Sequence, residues 1–240
     1  MVGAFLWGAV SASSLLAGAV VAYQLRPGRR LIAVVMAFGT GLLFGSVSFE
    51  LIDEALRTRT VGAVGLMVLI GAAVFAAGDW MLSRRGGGER KDADGAQASG
   101  SPLAIVLGSV LDGIPESFVL GLTIMQGQIS VALLAGIVLS NLPEGMASSS
   151  GLRVARWPER RVLLMWSAVV LVSGAAAVAG YALLDPSAGR TGALVQAFAA
   201  GALLAMLSNT LLPEAYEVEG PLTGPFVVAG FAASLALSSL

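Results

Sequence analysis

Apolar stretches of about 20 residues recur along this chain, and no other feature limits its fold as strongly. A stretch of that length crosses the roughly 30 Å hydrocarbon core of a bilayer as a helix. Of the 240 residues, 56% are hydrophobic and 12% are charged, which is about half the charged fraction of an ordinary soluble domain. These stretches are too long and too uniformly apolar for barrel strands. The sequence therefore predicts an all-α, polytopic membrane protein.

Breaks at charged or Pro/Gly-rich sites divide the chain into eight candidate helices, which we expect to form one transmembrane domain over residues 1–240. The expected spans are 3–25, 31–56, 61–83, 102–124, 129–152, 159–184, 190–215 and 221–239. The N-terminus lacks the basic segment of a cleaved signal peptide, so we expect the first span to be retained. The Gly-rich, charged segment 84–101 predicts a flexible cytoplasmic loop, and Ser101 before Pro102 predicts an N-cap for the fourth span.

Basic residues set the expected orientation. The loops after the first, third and fifth spans carry 11 of the 14 Lys and Arg residues, and the exceptions are Arg57, Arg59 and Arg190. The excess of positive charge predicts that these three loops face the cytoplasm and that both termini lie outside the cell (inner) membrane. The net charge of -1 and the separated basic clusters argue against a nucleic-acid partner. Because the chain has no Cys and no His, disulfides, thiolate metal sites and imidazole chemistry are excluded.

Two segments resemble each other. Residues 37–55 align without gaps to residues 197–215 with eight identities, among them Ser48 with Ser208 and Glu54 with Glu214. The second and seventh spans are five apart and would cross in opposite directions. We therefore expect an inverted repeat of three, two and three helices, an architecture that in transporters places the substrate site at the repeat interface.

Eight of the fifteen acidic residues lie inside the expected spans, whereas all basic residues lie in loops or at span ends. A carboxylate near the middle of a bilayer costs roughly 3 kcal/mol, and no Lys or Arg is expected at that depth to pair with it. Such groups need a cation, protons or a water-filled cavity. The eight acids are Glu50, Asp53, Glu54, Asp79, Asp112, Glu116, Glu144 and Glu214.

The fourth and fifth spans carry the sharpest pattern, with LDGIPES at 111–117 and SNLPEGMASS at 140–149. Asp112 and Glu116 are four residues apart and share a helix face, as do Asn141 and Glu144, which are three apart. Opposed faces would gather three carboxylates and an amide oxygen around one point, which is a hard, oxygen-rich cation site. Pro115 and Pro143 would each free a backbone carbonyl nearby.

Paired Pro-Glu motifs in the fourth and fifth of eight spans resemble the ZIP (Zrt/Irt-like) divalent-metal transporters. The resemblance covers essentially the whole chain. It implies inward movement of a divalent transition metal, with zinc first and manganese or iron(II) next, and it implies a homodimer in the lipid bilayer. By position in the motif, the implied metal ligands are Asp112, Glu116, Asn141 and Glu144, with Ser140 beside them.

This sequence departs from the family pattern at two motif positions and in its loop. Asp112 and Gly113 stand where the family has His and Asn, and the loop lacks a His-rich run. Loss of imidazole makes the site harder and increases the weight of manganese and iron(II). Four further residues are expected to line the route, namely Glu54, Glu214, Ser208 and Asn209.

We predict a transporter and not an enzyme, with the metal as substrate, no organic cofactor and no catalytic residue. Two alternatives remain open at this stage. The same carboxylates could hold a metal that activates water in an intramembrane metalloenzyme. They could also act as a counter-charge in a transporter of an organic cation or of protons. For the cluster at 112–144 a structural polar contact between two helices is a further reading, and for Glu54 and Glu214 solvation at the membrane interface is one.

Overall fold

The computed structural model describes residues 1–87, 102–125, 130–183 and 189–238. In these ranges the chain is helical apart from short connections, and it contains no strand. The helices are α1 (Val2–Gln24), α2 (Arg29–Ser46), α3 (Asp53–Thr58), α4 (Val61–Leu82), α5 (Pro102–Met125), α6 (Val131–Val154), α7 (Glu159–Leu183), α8 (Gly189–Met206), α9 (Leu212–Glu219) and α10 (Thr223–Leu237).

Within the described ranges, three wider π-helical segments interrupt or extend these helices. Val47–Ile52 joins α2 to α3, Leu207–Leu211 joins α8 to α9, and Ser83–Gly87 continues α4. The last of these corrects the expected start of the long loop, because helix continues through Arg84 and Arg85 up to Gly87. The rest of that loop and the N-cap expected at Ser101 lie outside the described residues.

Seven helical stretches in the described ranges are long and apolar enough to cross a membrane. The first six agree within a few residues with the first six expected spans. The seventh, Gly192–Leu237, is 46 residues long and includes both the seventh and the eighth expected spans. An all-helical fold suited to a membrane is therefore confirmed, while this criterion gives seven stretches where the sequence predicted eight.

Helices α2 and α3, with the π-helical segment between them, form one continuous rod, and α8 and α9 form a second rod in the same way. The two rods lie side by side and run in opposite directions. At one end, Arg30 Nε lies 3.5 Å from Glu219 Oε1, which joins the start of α2 to the end of α9. At the other end, Ala55 of α3 packs in one apolar cluster with Ala193 and Ala197 of α8. The π-helical segments Val47–Ile52 and Leu207–Leu211 lie between these two contacts, one in each rod.

Helix α10 runs parallel to α2. Going along α2, Gly41 lies against the backbone of Val227 and Gly45 lies against Ser234. Because α9 is antiparallel to α2 and α10 is parallel to it, the chain reverses direction between α9 and α10. The reversal occurs at Gly220, which ends α9 with φ 58° and ψ -135°, a conformation open essentially only to glycine.

Glycines bring helix backbones together at four related places. Gly41 of α2 meets the carbonyl of Val227, and Gly201 of α8 meets the carbonyl of Val68; a Cβ at either glycine would collide with that oxygen. The α2 and α8 positions differ by 160 residues, and the partner positions on α4 and α10 differ by 159.

The same offsets relate the other two contacts. Gly230 lies against the carbonyl of Phe38, and Gly71 lies against the carbonyl of Phe198. The packing of α2 on α10 therefore uses the same contact pattern as the packing of α8 on α4.

A second pair of helix contacts is related in the same way. Gly18 of α1 meets the carbonyl of Leu142, and Gly180 of α7 meets the carbonyl of Phe118. Likewise, Gly145 meets Leu15 while Gly121 meets Ala177. Positions on α1 and α7 differ by 162 residues, and positions on α5 and α6 differ by 24. Helix α5 thus packs on α7 through the same contact pattern by which α6 packs on α1.

Candidate functional site

Helices α5 and α6 form an antiparallel pair. Helix α5 is parallel to α7, since Gly113 lies near Ser173 and Phe118 lies against Gly180, further along both helices. Helix α6 is antiparallel to α7, because residues 155–158 connect them directly and Trp166 Nε1 donates to Ser149 Oγ at 2.9 Å. The two helices with the Pro-Glu motifs therefore run in opposite directions.

All five residues of the expected metal site are buried. Asp112, Glu116 and Glu144 are each 2% exposed, Asn141 is 4% exposed and Ser140 is fully enclosed. Neither α5 nor the central part of α6 contains a basic residue, and the first one after Glu144 is Arg153, near the end of α6. Such burial is expected where two polar helix faces are turned toward the interior of a bundle.

One contact between side chains of α5 and α6 shows how the two helices are aligned along the bundle. Ser140 Oγ lies 3.5 Å from Glu116 Oε1, which is too long for a strong hydrogen bond, and the serine hydroxyl also donates to the carbonyl of Ile137 at 3.0 Å. In an antiparallel pair, a step back along one helix matches an equal step forward along the other. Four residues in each direction lead to Asp112 and Glu144, so in this register the two residues fall at about the same height along the bundle.

The polar face between α5 and α6 therefore has two levels of acidic residues, which we call the carboxylate ladder: Glu116 with Ser140, and Asp112 with Glu144. One helical turn, about 5.4 Å, separates the levels. Asn141 is three residues before Glu144 and shares its face of α6. The ladder can supply carboxylate, hydroxyl and amide oxygens, which are ligands for hard divalent cations.

The sequence led us to expect three carboxylates around one point, and the described residues do not show such a group. Within the described ranges, no three Asp, Glu, His or Cys side chains lie close enough together to hold a metal ion jointly. Counted from the contact of Ser140 with Glu116, Asp112 and Glu144 instead fall at about the same height, and Glu116 falls one turn away. This arrangement can hold a cation between two carboxylates, with additional oxygens from Ser140, Asn141, water or backbone.

Two of the acids near helix ends have positive neighbours, contrary to the expectation that all eight lack them. Arg57 Nη2 lies 3.2 Å from Asp53 Oδ2, and Arg57 Nε lies 3.3 Å from Glu54 Oε2. The Asp53 and Glu54 side chains are 57% and 47% exposed. The spacing to Arg57 places the partners on one helix face. Glu54 is therefore placed at an exposed helix end and not in the buried ladder.

The other residues expected to line the transport route lie in the π-helical segment Leu207–Leu211 or just after it. Ser208 and Asn209 are exposed, and Glu214 of α9 is partly buried. Ser208 Oγ donates to the carbonyl of Leu204 at 2.8 Å, and Ser48 Oγ donates to that of Phe44 at 2.7 Å, the same contact 160 residues earlier. Because they are exposed, Ser208 and Asn209 lie outside the buried carboxylate ladder.

Sequence reasoning missed two serines on the ladder faces. Ser109 is three residues before Asp112 and Ser148 is four residues after Glu144, and both are buried. The helical spacing that links Asp112 to Glu116 could have identified them.

No family model matches the chain, and a search of curated proteins finds no similar sequence.

Proposed function

We propose that this protein is a ZIP-like transporter that carries a divalent transition-metal cation across the membrane into the cytoplasm, with the carboxylate ladder as its central binding site. The observation that carries the proposal is the burial of three carboxylates, Asp112, Glu116 and Glu144, on two antiparallel helices that approach each other where Ser140 Oγ lies 3.5 Å from Glu116 Oε1. Glu116, Ser140 and Asn141 complete the set of oxygens. Transport, and not covalent chemistry, is the role we assign to it.

The charge of the ladder favours a cation as its occupant. Two carboxylates at the same level repel each other in a medium of low dielectric constant, and burial adds a desolvation cost. A divalent cation between them removes both penalties at once. Oxygen-only ligands suit manganese and iron(II) as well as zinc, which the family resemblance places first.

The fold supports a transporter with two related halves. Glycine contacts recur at constant offsets of 160 and 159 residues on one pair of helix interfaces, and of 162 and 24 on another. The rods that contain the aligned segments 37–55 and 197–215 are antiparallel. These relations support the proposed inverted repeat, with α5 and α6 as its central pair.

The direction of α10 supports eight crossings. A straight helix of 46 residues would be about 69 Å long, more than twice the hydrocarbon thickness of a bilayer. We therefore assign one crossing before Gly220 and one after it. In this topology both termini lie outside.

Contacts between connections support the proposed orientation. Tyr23, near the end of α1, donates to the carbonyl of Trp157 after α6 at 2.8 Å, which brings the Arg-rich segments near 26–30 and 153–161 to one end of the bundle. The pair of Arg30 and Glu219 lies at the same end. Clustering of these basic residues on one side supports a cytoplasmic location for it.

Uptake of metal into proteoliposomes tests the proposal. Purified protein should take up Mn²⁺, Fe²⁺ or Zn²⁺, and the Glu144→Ala and Glu116→Ala variants should lose uptake while remaining folded. Absence of uptake of any first-row divalent ion by the unchanged protein would contradict the proposal.

A second candidate is a transporter of protons. It is favoured by the burial of Asp112 and Glu144 at about the same height, because two buried carboxylates that lie close together can share a proton without any metal. Proton flux that continues unchanged after all divalent ions are removed would support this candidate over metal transport.

A further inference from the structure

Two buried serines next to the carboxylate ladder have hydroxyls without a hydrogen-bond partner. Ser109 is 1% exposed and Ser148 is fully enclosed, and the Oγ atoms of both lack a partner within the described structure. Other buried serines in the bundle donate to a carbonyl of the preceding turn, as Ser46 does to Leu42 at 3.0 Å and Ser11 does to Gly8 at 3.0 Å. Ser109 and Ser148 do not use this local acceptor.

Both serines continue the carboxylate ladder by one level. Starting from the contact of Glu116 with Ser140, seven residues back along α5 lead to Ser109, and eight residues forward along α6 lead to Ser148. The two helices are antiparallel, so these positions are level within one residue. The order along the shared face is therefore Glu116 with Ser140, Asp112 with Glu144, and Ser109 with Ser148.

Ser150, a third buried serine, provides a comparison on the same helix. Ser150 is 6% exposed and its Oγ also lacks a partner. It lies two residues after Ser148, which is about 200° around the helix, on a different face. Ser150 therefore shares burial and chemistry with Ser148 but does not belong to the ladder.

An enclosed hydroxyl without a partner is energetically costly, so two of them at nearly the same height favour a ligand that contacts both. Water or a cation with part of its hydration shell suits two neutral oxygens, because neither hydroxyl adds charge. The neighbouring level of carboxylates makes a cation the more favourable occupant.

We propose that Ser109 and Ser148 form a second, uncharged oxygen site through which the cation passes between the Asp112–Glu144 level and the end of the bundle that carries Arg153. This inference rests on the proposed transport function. Neutral ligands hold a divalent cation less tightly than carboxylates, so the site is suited to passage and not to storage. In the proposed orientation it lies on the cytoplasmic side of the ladder.

Cysteine substitution tests this site cleanly, since the sequence contains no cysteine. A thiol at position 109 or 148 replaces a hard ligand by a soft one of similar size, which favours Cd²⁺ over Mn²⁺. We expect Ser109→Cys and Ser148→Cys to raise the ratio of Cd²⁺ to Mn²⁺ uptake about tenfold. The purified variants should also show the ultraviolet charge-transfer band of a cadmium–thiolate bond. Ser150→Cys is the matched control and should change neither reading.

Alanine substitution gives a second reading. Removal of both hydroxyls in Ser109→Ala/Ser148→Ala should slow Mn²⁺ uptake about threefold to tenfold, while Mn²⁺ binding by the detergent-purified protein stays within about twofold, because the carboxylates are intact. A monodisperse gel-filtration profile shows that each variant is folded.

The outcomes separate this inference from the function on which it depends. Normal metal uptake by the unchanged protein, together with unaltered selectivity and no thiolate band in both cysteine variants, would overturn the inference alone. A band of equal strength in Ser150→Cys would also overturn it. No divalent uptake by the unchanged protein would overturn the proposed function, and the inference with it.

Discussion

The acidic residues of this chain occupy two contrasting environments. Asp112 of α5 and Glu144 of α6 are enclosed, each 2% exposed. Asp53 and Glu54 lie at the end of α3, about half-exposed, and both contact Arg57. By sequence all four fall inside an apolar span.

The difference teaches that depth and orientation, and not the count of acids, identify a candidate cation site. At the end of α3 water and Arg57 compensate the charges, so no ligand is needed there. In the ladder, two like charges share a level in a region of low dielectric constant. The two environments therefore predict opposite responses to neutralising substitutions.

The largest expected effect is loss of transport on neutralising the central pair. Asp112→Asn or Glu144→Gln should reduce metal uptake about 100-fold or more, because removing one partner from a buried ionic site costs about 3–5 kcal/mol. Uptake of radioactive or fluorescently detected metal into proteoliposomes measures this. Asp53→Asn is the matched control and should keep at least about half of the uptake; equal losses at both places would abolish the distinction between the environments.

A stability measurement sharpens the comparison. Without metal, Glu144→Gln should stabilise the protein by about 1–2 kcal/mol, since it removes repulsion and desolvation at the central level. Thermal unfolding in detergent gives the change in Tm. Saturating metal should stabilise the unchanged protein but not the variant. A lower Tm for the metal-free variant would mean that the carboxylate contributes a net structural contact instead.

Ser140 is expected to have an intermediate effect. Ser140→Ala removes the hydroxyl that approaches Glu116 at 3.5 Å but leaves every carboxylate in place. We expect a decrease of about threefold to tenfold in metal affinity, consistent with the loss of one neutral contact worth roughly 1 kcal/mol. Isothermal titration against Ser46→Ala, a buried serine away from the ladder, provides the comparison. An unchanged affinity would exclude Ser140 from the site.

The smallest effect is expected at the exposed pair. Arg57→Ala should lower stability by less than about 1 kcal/mol, because exposed ion pairs contribute little. Metal uptake should stay within about twofold of that of the unchanged protein. Loss of uptake in Arg57→Ala with normal thermal unfolding would show that the helix end belongs to the transport route.

Much of the fold could be predicted from sequence because long apolar stretches have few alternatives in a membrane. The bounds of α1, α4, α6 and α7 agree with the expected spans within two residues. Gly41 and Gly45 form a GxxxG pair, and small residues at this spacing permit close helix approach. The close packing of α2 on α10 at these two glycines was therefore also predictable.

The candidate site was predictable only within each helix. Spacing shows that Asp112 and Glu116 share a face of α5, but the level of Asp112 relative to Glu144 depends on how α5 and α6 are displaced along each other. That displacement is set by packing on α1 and α7, where Gly145 and Gly121 meet neighbouring backbones. The spacing of Asp53 and Glu54 from Arg57 is sufficient to predict their ion pairs. These pairs were missed because the whole span was assumed to lie deep in the membrane.

The turn at Gly220 bears on whether the chain crosses the membrane an odd or an even number of times. An odd number of crossings would leave the two ends of the chain on opposite sides of the membrane, and an even number leaves them on the same side. The turn between α9 and α10 depends on one residue in a conformation that side chains resist. In the proposed topology, a single glycine thus decides which compartment the C-terminus meets.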